Sequence, residues 1–236
     1  MHVPDGFVNP YISATMFVVA ALFLIWAWRG ARLTLRKSFV ALIAISSAVV
    51  LIVQMVEFPA AGGASTWHIM GGTILTMVLG PHGTIISMTL TLIIQALYGD
   101  GGLSTFGANV VNMAVVGGLS FFLVKALAGK NFSRKRLALS LFIASWVSNI
   151  ATALLVGVDI GLYPMVGTVG GLAVTIPAML VLYVPTGLVE GIVTSSLVVT
   201  FSQAKAVRLF GLELLRNGRH KNGDASPGLT WPDLKN

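Results

Sequence analysis

The sequence predicts an all-α membrane protein of about seven transmembrane helices, and three observations predict it. The 236 residues are 56% hydrophobic, with a mean hydropathy of +0.87. Only 10% are charged, where soluble domains carry roughly a quarter. The apolar runs have the length of membrane helices rather than of the short alternating strands of a barrel. The formal charge of +7 does not point to nucleic acid, because the basic residues sit in short clusters between apolar runs, as in cytoplasmic loops. The absence of cysteine excludes thiolate, disulfide and iron–sulfur chemistry. The polar start lacks a basic segment leading directly into an apolar one, so no cleavable signal peptide is expected.

Ile12 to Trp28 is a first apolar run about long enough to span, and Arg29, Arg32, Arg36 and Lys37 follow at once. The positive-inside rule makes that end cytoplasmic and leaves the N-terminus outside. Residues 38–58 return outward, with Glu57 near their end. The stretch from Pro59 to His68 is rich in turn formers and places His68 on the outer side with Met1 and His2. Residues 69–98 are interrupted by Gly80-Pro81-His82-Gly83. Proline removes a donor and disfavours helix in the residue before it, which predicts two short helices, 69–80 and 83–98. Charge agrees, since two crossings here put Lys125, Lys130 and Arg134 to Arg136 inside. Spans near 103–127 and 137–157 come next. Val184-Pro185 separates apolar residues 164–183 from 186–204. The former stretch is predicted to be peripheral or re-entrant, so that Lys205, Arg208, Arg216, Arg219 and Lys221 lie inside. Residues 1–204 therefore form one membrane domain and 205–236 a basic cytoplasmic tail.

The chemistry gathers in Met1-His2-Val3-Pro4-Asp5-Gly6-Phe7. The α-amine of Met1 and the amide nitrogen of His2 can close a five-membered chelate ring. That amide nitrogen and Nδ1 of His2 can close a six-membered one. Three nitrogens in a plane suit Ni(II) or Cu(II) better than zinc, and a fourth must come from elsewhere in the chain. The competing reading is a frayed terminus. Of the other histidines, His68 shares the outer side, His82 lies at an inner break and His220 lies in the tail. Glu57 and Glu190 are carboxylates at or within apolar runs, where charge is costly. Glu57 can sit at the interface without a special role, while Glu190 could meet a partner subunit or hold helices together. Gln54, Gln95, Asn109 and Asn112 could orient ligands by hydrogen bonding. No H-E-x-x-H, G-x-S-x-G or Walker A pattern is present, so no catalytic residue is assigned.

The N-terminal motif combines with Gly62-Gly63-Ala64-Ser65-Thr66-Trp67-His68 and Gln95-Ala96-Leu97-Tyr98-Gly99-Asp100-Gly101-Gly102, running on to Gly107-Ala108-Asn109. Together they resemble the CbiM/NikM family, the substrate-binding membrane subunits of energy-coupling-factor (ECF) cobalt and nickel transporters. The similarity runs to about Thr200. It implies an extra N-terminal helix on a six-helix core, with the N-terminus tucked in from outside. It also implies metal ligands at the amine of Met1, the amide nitrogen and imidazole of His2, and the imidazole of His68. The transported substrate would be Ni(II) or Co(II). Partners would be an ECF transmembrane coupling protein, ABC-type ATPase subunits and a small accessory membrane subunit, in the plasma membrane of a prokaryote. The expected function is substrate capture for an ATP-driven importer. A membrane metal sensor and a secondary transporter driven by protons through Glu190 are the other readings.

Overall fold

The computed structural model describes residues 2–32, 34, 37–60, 65–129, 132–163, 170–202 and 209–217. Met1, His220, residues 61–64 and most of residues 205–236 lie outside the described residues. Helix α1, Pro10–Ala31, starts where Asn9 accepts from the Tyr11 amide at 3.0 Å, with proline at its first position. Helix α2 is Lys37–Gln54, and an antiparallel ribbon of β1 (Phe58–Ala60) and β2 (Ser65–Trp67) follows where a loop was expected. Helix α3 is Gly72–Leu97. The short α4 (Phe106–Asn109), a π-helical segment (Val110–Val115) and α5 (Val116–Ala128) run on as one 23-residue stretch. Helix α6, Arg134–Gly161, is capped by Ser133, α7 is Leu172–Phe201, and α8 is Phe210–Asn217. Among the described residues six helices are long and apolar enough to cross a membrane.

One of the six is folded in two. A straight helix of 26 residues would be about 39 Å long. Yet Gln54 donates to the Met70 carbonyl just before α3 and accepts from Gln95 near its end, at 2.8 and 3.0 Å. Both ends of α3 thus meet one side chain, so the chain reverses between them. The reversal is at Gly80, whose φ of 70° and ψ of 174° leave the helical region, directly before Pro81. This is the break the sequence marks, and it gives the six long helices seven arms. The arms begin later than expected, because Ile69 to Gly71 are not helical.

The second proline break does not occur. Helix α7 passes through Pro177 and Pro185 without interruption, so its part of residues 164–183 is neither peripheral nor separate. Side chains bond the backbone beside Pro185: Thr186 donates its hydroxyl to the Leu182 carbonyl, and Trp146 donates Nε1–H to the Val184 carbonyl. Gly187 and Gly191 let α6 approach α7, for a Cβ on either would stand within 2.9 Å of Asn149 or Phe142. That is the intramolecular packing expected of small residues.

The two ends of the bundle differ. At one end, residues 2–8 pack on α6, with Val3 and Val8 against Val156. At the other, α1 ends with Gly30 against the His82 ring, and Trp26 lies 4.5 Å from that ring. Phe210 and Leu214 of α8 close over Gly80 there, and Phe210 meets Phe39 edge-on. Arg29 and Arg134 to Arg136 sit at the His82 end, whereas Asp5, Glu57 and Asp100 sit at the His2 end.

Candidate metal centre

The N-terminal segment is held, not frayed. The Val3 amide donates to Oδ1 of Asn109 at 2.8 Å, and Nδ2 of Asn109 donates back to the Val3 carbonyl at 3.1 Å. The same carbonyl accepts from the Gly102 amide and the Thr105 hydroxyl. Two residues on, the Asp5 carboxylate accepts from the amides of Leu103 and Ser104 and from the Ser104 hydroxyl. These bonds hold the Asp5 carboxyl below the usual carboxylate range. A Cβ on Gly102 would meet the Asp5 nitrogen at 2.4 Å, so only glycine lets the two backbones lie this close. Residues 2–5 are thereby laid along 100–109.

The loop carrying His68 is anchored from below. Glu190, in the middle of α7 and 1% exposed, accepts from the amides of Met70 and Gly71 at 2.9 and 3.0 Å and from Nδ2 of Asn149 at 3.2 Å. Gln54 holds the Met70 carbonyl from α2. The sequence left Glu190 between a partner contact and a helix tie; it ties three elements, the loop, α6 and α7.

These two supports bring His2 and His68 together. The rings stack with centroids 4.9 Å apart and an interplanar angle of 11°. The His2 side chain is 4% exposed and His68 is 2% exposed. Burial holds both imidazoles below their ordinary range, His68 the further, although Asp100 pulls His2 the other way. Both are therefore neutral at pH 7, the state a metal ligand needs. Nδ1 of His2 lies 2.9 Å from Oδ1 of Asp100, while its buried Nε2 has no hydrogen-bond partner. A chelate through Nδ1, as drawn from the sequence, requires the ring to turn away from Asp100. Ligand atoms of His2, His68 and the exposed Glu57 lie within 4.8 Å of one another. Two imidazoles and a carboxylate converging on one point suit a borderline divalent transition metal.

Met1, the remaining site residue named by sequence, lies outside the described residues. His82 is at the far end, against Trp26. Gln54, Gln95 and Asn109 orient the backbone on which the histidines ride, whereas Asn112 faces Asp159 instead. Sequence reasoning missed Asp100 as the partner of His2 and Asp5 as the clasp of the segment. Their signal was their place in the two motifs, next to glycines that turn the chain.

The family description "Cobalt uptake substrate-specific transmembrane region" matches residues 2–207. The chain belongs to the CbiM family. Among CbiM relatives it is 33% identical over 211 residues to the fused nickel transport protein NikMN of Rhodobacter capsulatus, covering 84% of this chain and 60% of that one. It is 30% identical over 210 residues to the cobalt transport protein CbiM of Geobacter sulfurreducens, covering 84% and 58%. The chain spans 66%, 57% and 60% of the NikMN and LarMN proteins it matches in Archaeoglobus fulgidus, Lactiplantibacillus plantarum and Rhodobacter capsulatus. Two crystal structures titled as transition metal transporters share the fold. One superposes with a TM-score of 0.77 at 31% identity, covering 86% of this chain and 93% of that one. The other, a truncated form, gives 0.75 at 32%, covering 84% and 96%.

Proposed function

We propose that this chain is the substrate-capture subunit of an ATP-driven ECF-type importer of Ni(II) or Co(II). The observation that carries the reading is the stacked, buried pair of neutral imidazoles, His2 and His68, at one end of a membrane bundle. The proposed ligands are the amine of Met1, the amide nitrogen and imidazole of His2, and the imidazole of His68. Four nitrogens offset dehydration of the ion and discriminate against Mg(II) and Ca(II), which favour oxygen. Basic residues cluster at the His82 end, so that end is cytoplasmic and the site faces outward across the plasma membrane of a prokaryote. The partners are an ECF transmembrane coupling protein, ABC-type ATPase subunits and a small accessory membrane subunit. A secondary transporter driven through Glu190 is the weaker reading, because that carboxylate is committed to the Met70 and Gly71 amides.

Calorimetry of Ni(II) and Co(II) on matched purified chains tests the site. His68→Ala and a one-residue extension before Met1 should each abolish tight binding, the extension because it turns the amine into an amide. His82→Ala should bind as the parent does. Full affinity in an extended chain verified by mass spectrometry would remove Met1 from the ligand set. Glu57→Gln then separates four nitrogens from a mixed set, since affinity should survive it unless the carboxylate is a donor. Radioactive nickel uptake that persists without co-expressed ATPases would overturn the importer.

A further inference from the structure

One helical turn beyond Asn109, the π-helical segment carries Asn112. Its Nδ2 donates to Oδ2 of Asp159 on α6 at 2.7 Å. Both residues are fully buried. From the same helix, the Thr152 hydroxyl donates to the Asn112 carbonyl, so α6 grips this turn twice. Two buried atoms of the pair have no partner, Oδ1 of Asp159 and Oδ1 of Asn112. Asp159 has no charged partner either: among the described residues the ion pair within reach is His2 with Asp100 alone.

A buried carboxylate without a cation needs several donors to remain ionised. Glu190 has three, from Met70, Gly71 and Asn149. Asp159 has one. A carboxylic acid and a primary amide, however, pair through two bonds: amide N–H to one acid oxygen, and acid O–H to the amide oxygen. The first is present here. The second would need a proton on the acid, and the two oxygens it would join are the unpartnered atoms. Single-turn π segments are strained insertions that recur at functional sites, and this one lies between the Val3 clamp and Asp159.

We propose that Asp159 takes up one proton on Oδ1 and closes a two-bond acid–amide pair with Asn112, a clasp that fixes the π-turn, and with it Asn109, onto α6. The ligand is a proton from solvent; no other bond forms or breaks. The inference stands apart from the metal site, and its test needs no metal.

The test is infrared spectroscopy of the full, metal-free chain in lipid nanodiscs at neutral pH. The expected result is a neutral carboxylic-acid carbonyl band that moves in deuterium oxide, is lost in Asp159→Asn and persists in Glu190→Gln. Carbon-13 at the aspartate carboxyl should shift the same band in the unaltered chain, so the assignment does not depend on any variant folding. Asp159→Asn, whose amide can donate to the Asn112 oxygen, should keep the parent's thermal midpoint. Asp159→Leu, which strands the Asn112 amide, should lower it. Finding no label-shifted acid band would overturn the proposal. A band that vanishes when sodium or Ni(II) replaces choline would overturn it too, by making the pair a cation site.

Discussion

At Gly102 the backbone of the 100–109 turn runs so close to the N-terminal segment that a methyl group would stand within 2.5 Å of three atoms of Asp5 and Thr105. Gly102→Ala should therefore lift residues 2–5 without disturbing the helices. The expected cost, ~1–3 kcal/mol, is that of an over-packed contact. It should be read as weaker Ni(II) binding with an unchanged helical spectrum. The two imidazoles make a second prediction. Burial lowers both, and in the unfolded chain each titrates near ~6.5. Below that pH the unfolded state gains protons that the folded state refuses. Stability of the metal-free protein is thus full above about 6.5 and falls as pH drops toward the lowered folded values. Thermal midpoints taken from neutral to mildly acid pH should show the fall, and His68→Gln should flatten it. His2 and His68 were legible in sequence because an imidazole beside an α-amine, and another in a polar loop on the same side, are chemically pointed. Asp100 was visible as a motif residue only, and Asn109 as a hydrogen-bonding residue without its partner, since their contacts lie 98 and 106 positions away.

Helices α3 and α7 carry the same sequence signal with opposite outcomes. Before Pro81 stands a glycine that adopts φ 70°, and the chain turns back. Before Pro185 stands a valine in unbroken helix, with Trp146 and Thr186 on the nearby carbonyls. The difference is already local: glycine reaches the positive φ that turns the chain, and a β-branched valine resists it. Gly80→Ala should cost roughly 1 kcal/mol or more through its left-handed backbone, with crowding of Leu214 added, and should be visible as earlier unfolding in a detergent titration. Glu190→Ala should cost more, roughly 3 kcal/mol, because it strands two loop amides and the Asn149 amide in the bundle. It should also weaken Ni(II) binding, since His68 rides on that loop.

For the molecule as a whole, polarity of charge decides orientation. A cysteine placed at Phe132, beside the basic start of α6, should resist an impermeant reagent added to intact cells. One placed at Tyr98, half-exposed at the His2 end, should react. The reverse pattern would invert the topology and put the imidazole pair inside. The all-helical membrane class was legible from composition; the seven arms came from one glycine–proline step checked against charge, together with a second break at Pro185 that α7 does not make. The ribbon at Phe58–Ala60 and Ser65–Trp67 was not, because three-residue strands leave no periodicity to read.

The clamp on Val3 also bears on how the protein is made. Residues 2 to 5 leave the ribosome about a hundred residues ahead of Asp100, Ser104 and Asn109, which hold them. They must wait at the membrane surface until the fourth long helix has been inserted. A stretch made well before its partners thus docks only after them. A nascent chain stalled before Asn109 would carry both histidines with no Asn109 to clamp the Val3 backbone beside them. For the proposed site, capture of metal would then be withheld until biogenesis is well advanced, and a half-made chain would not sequester the ion.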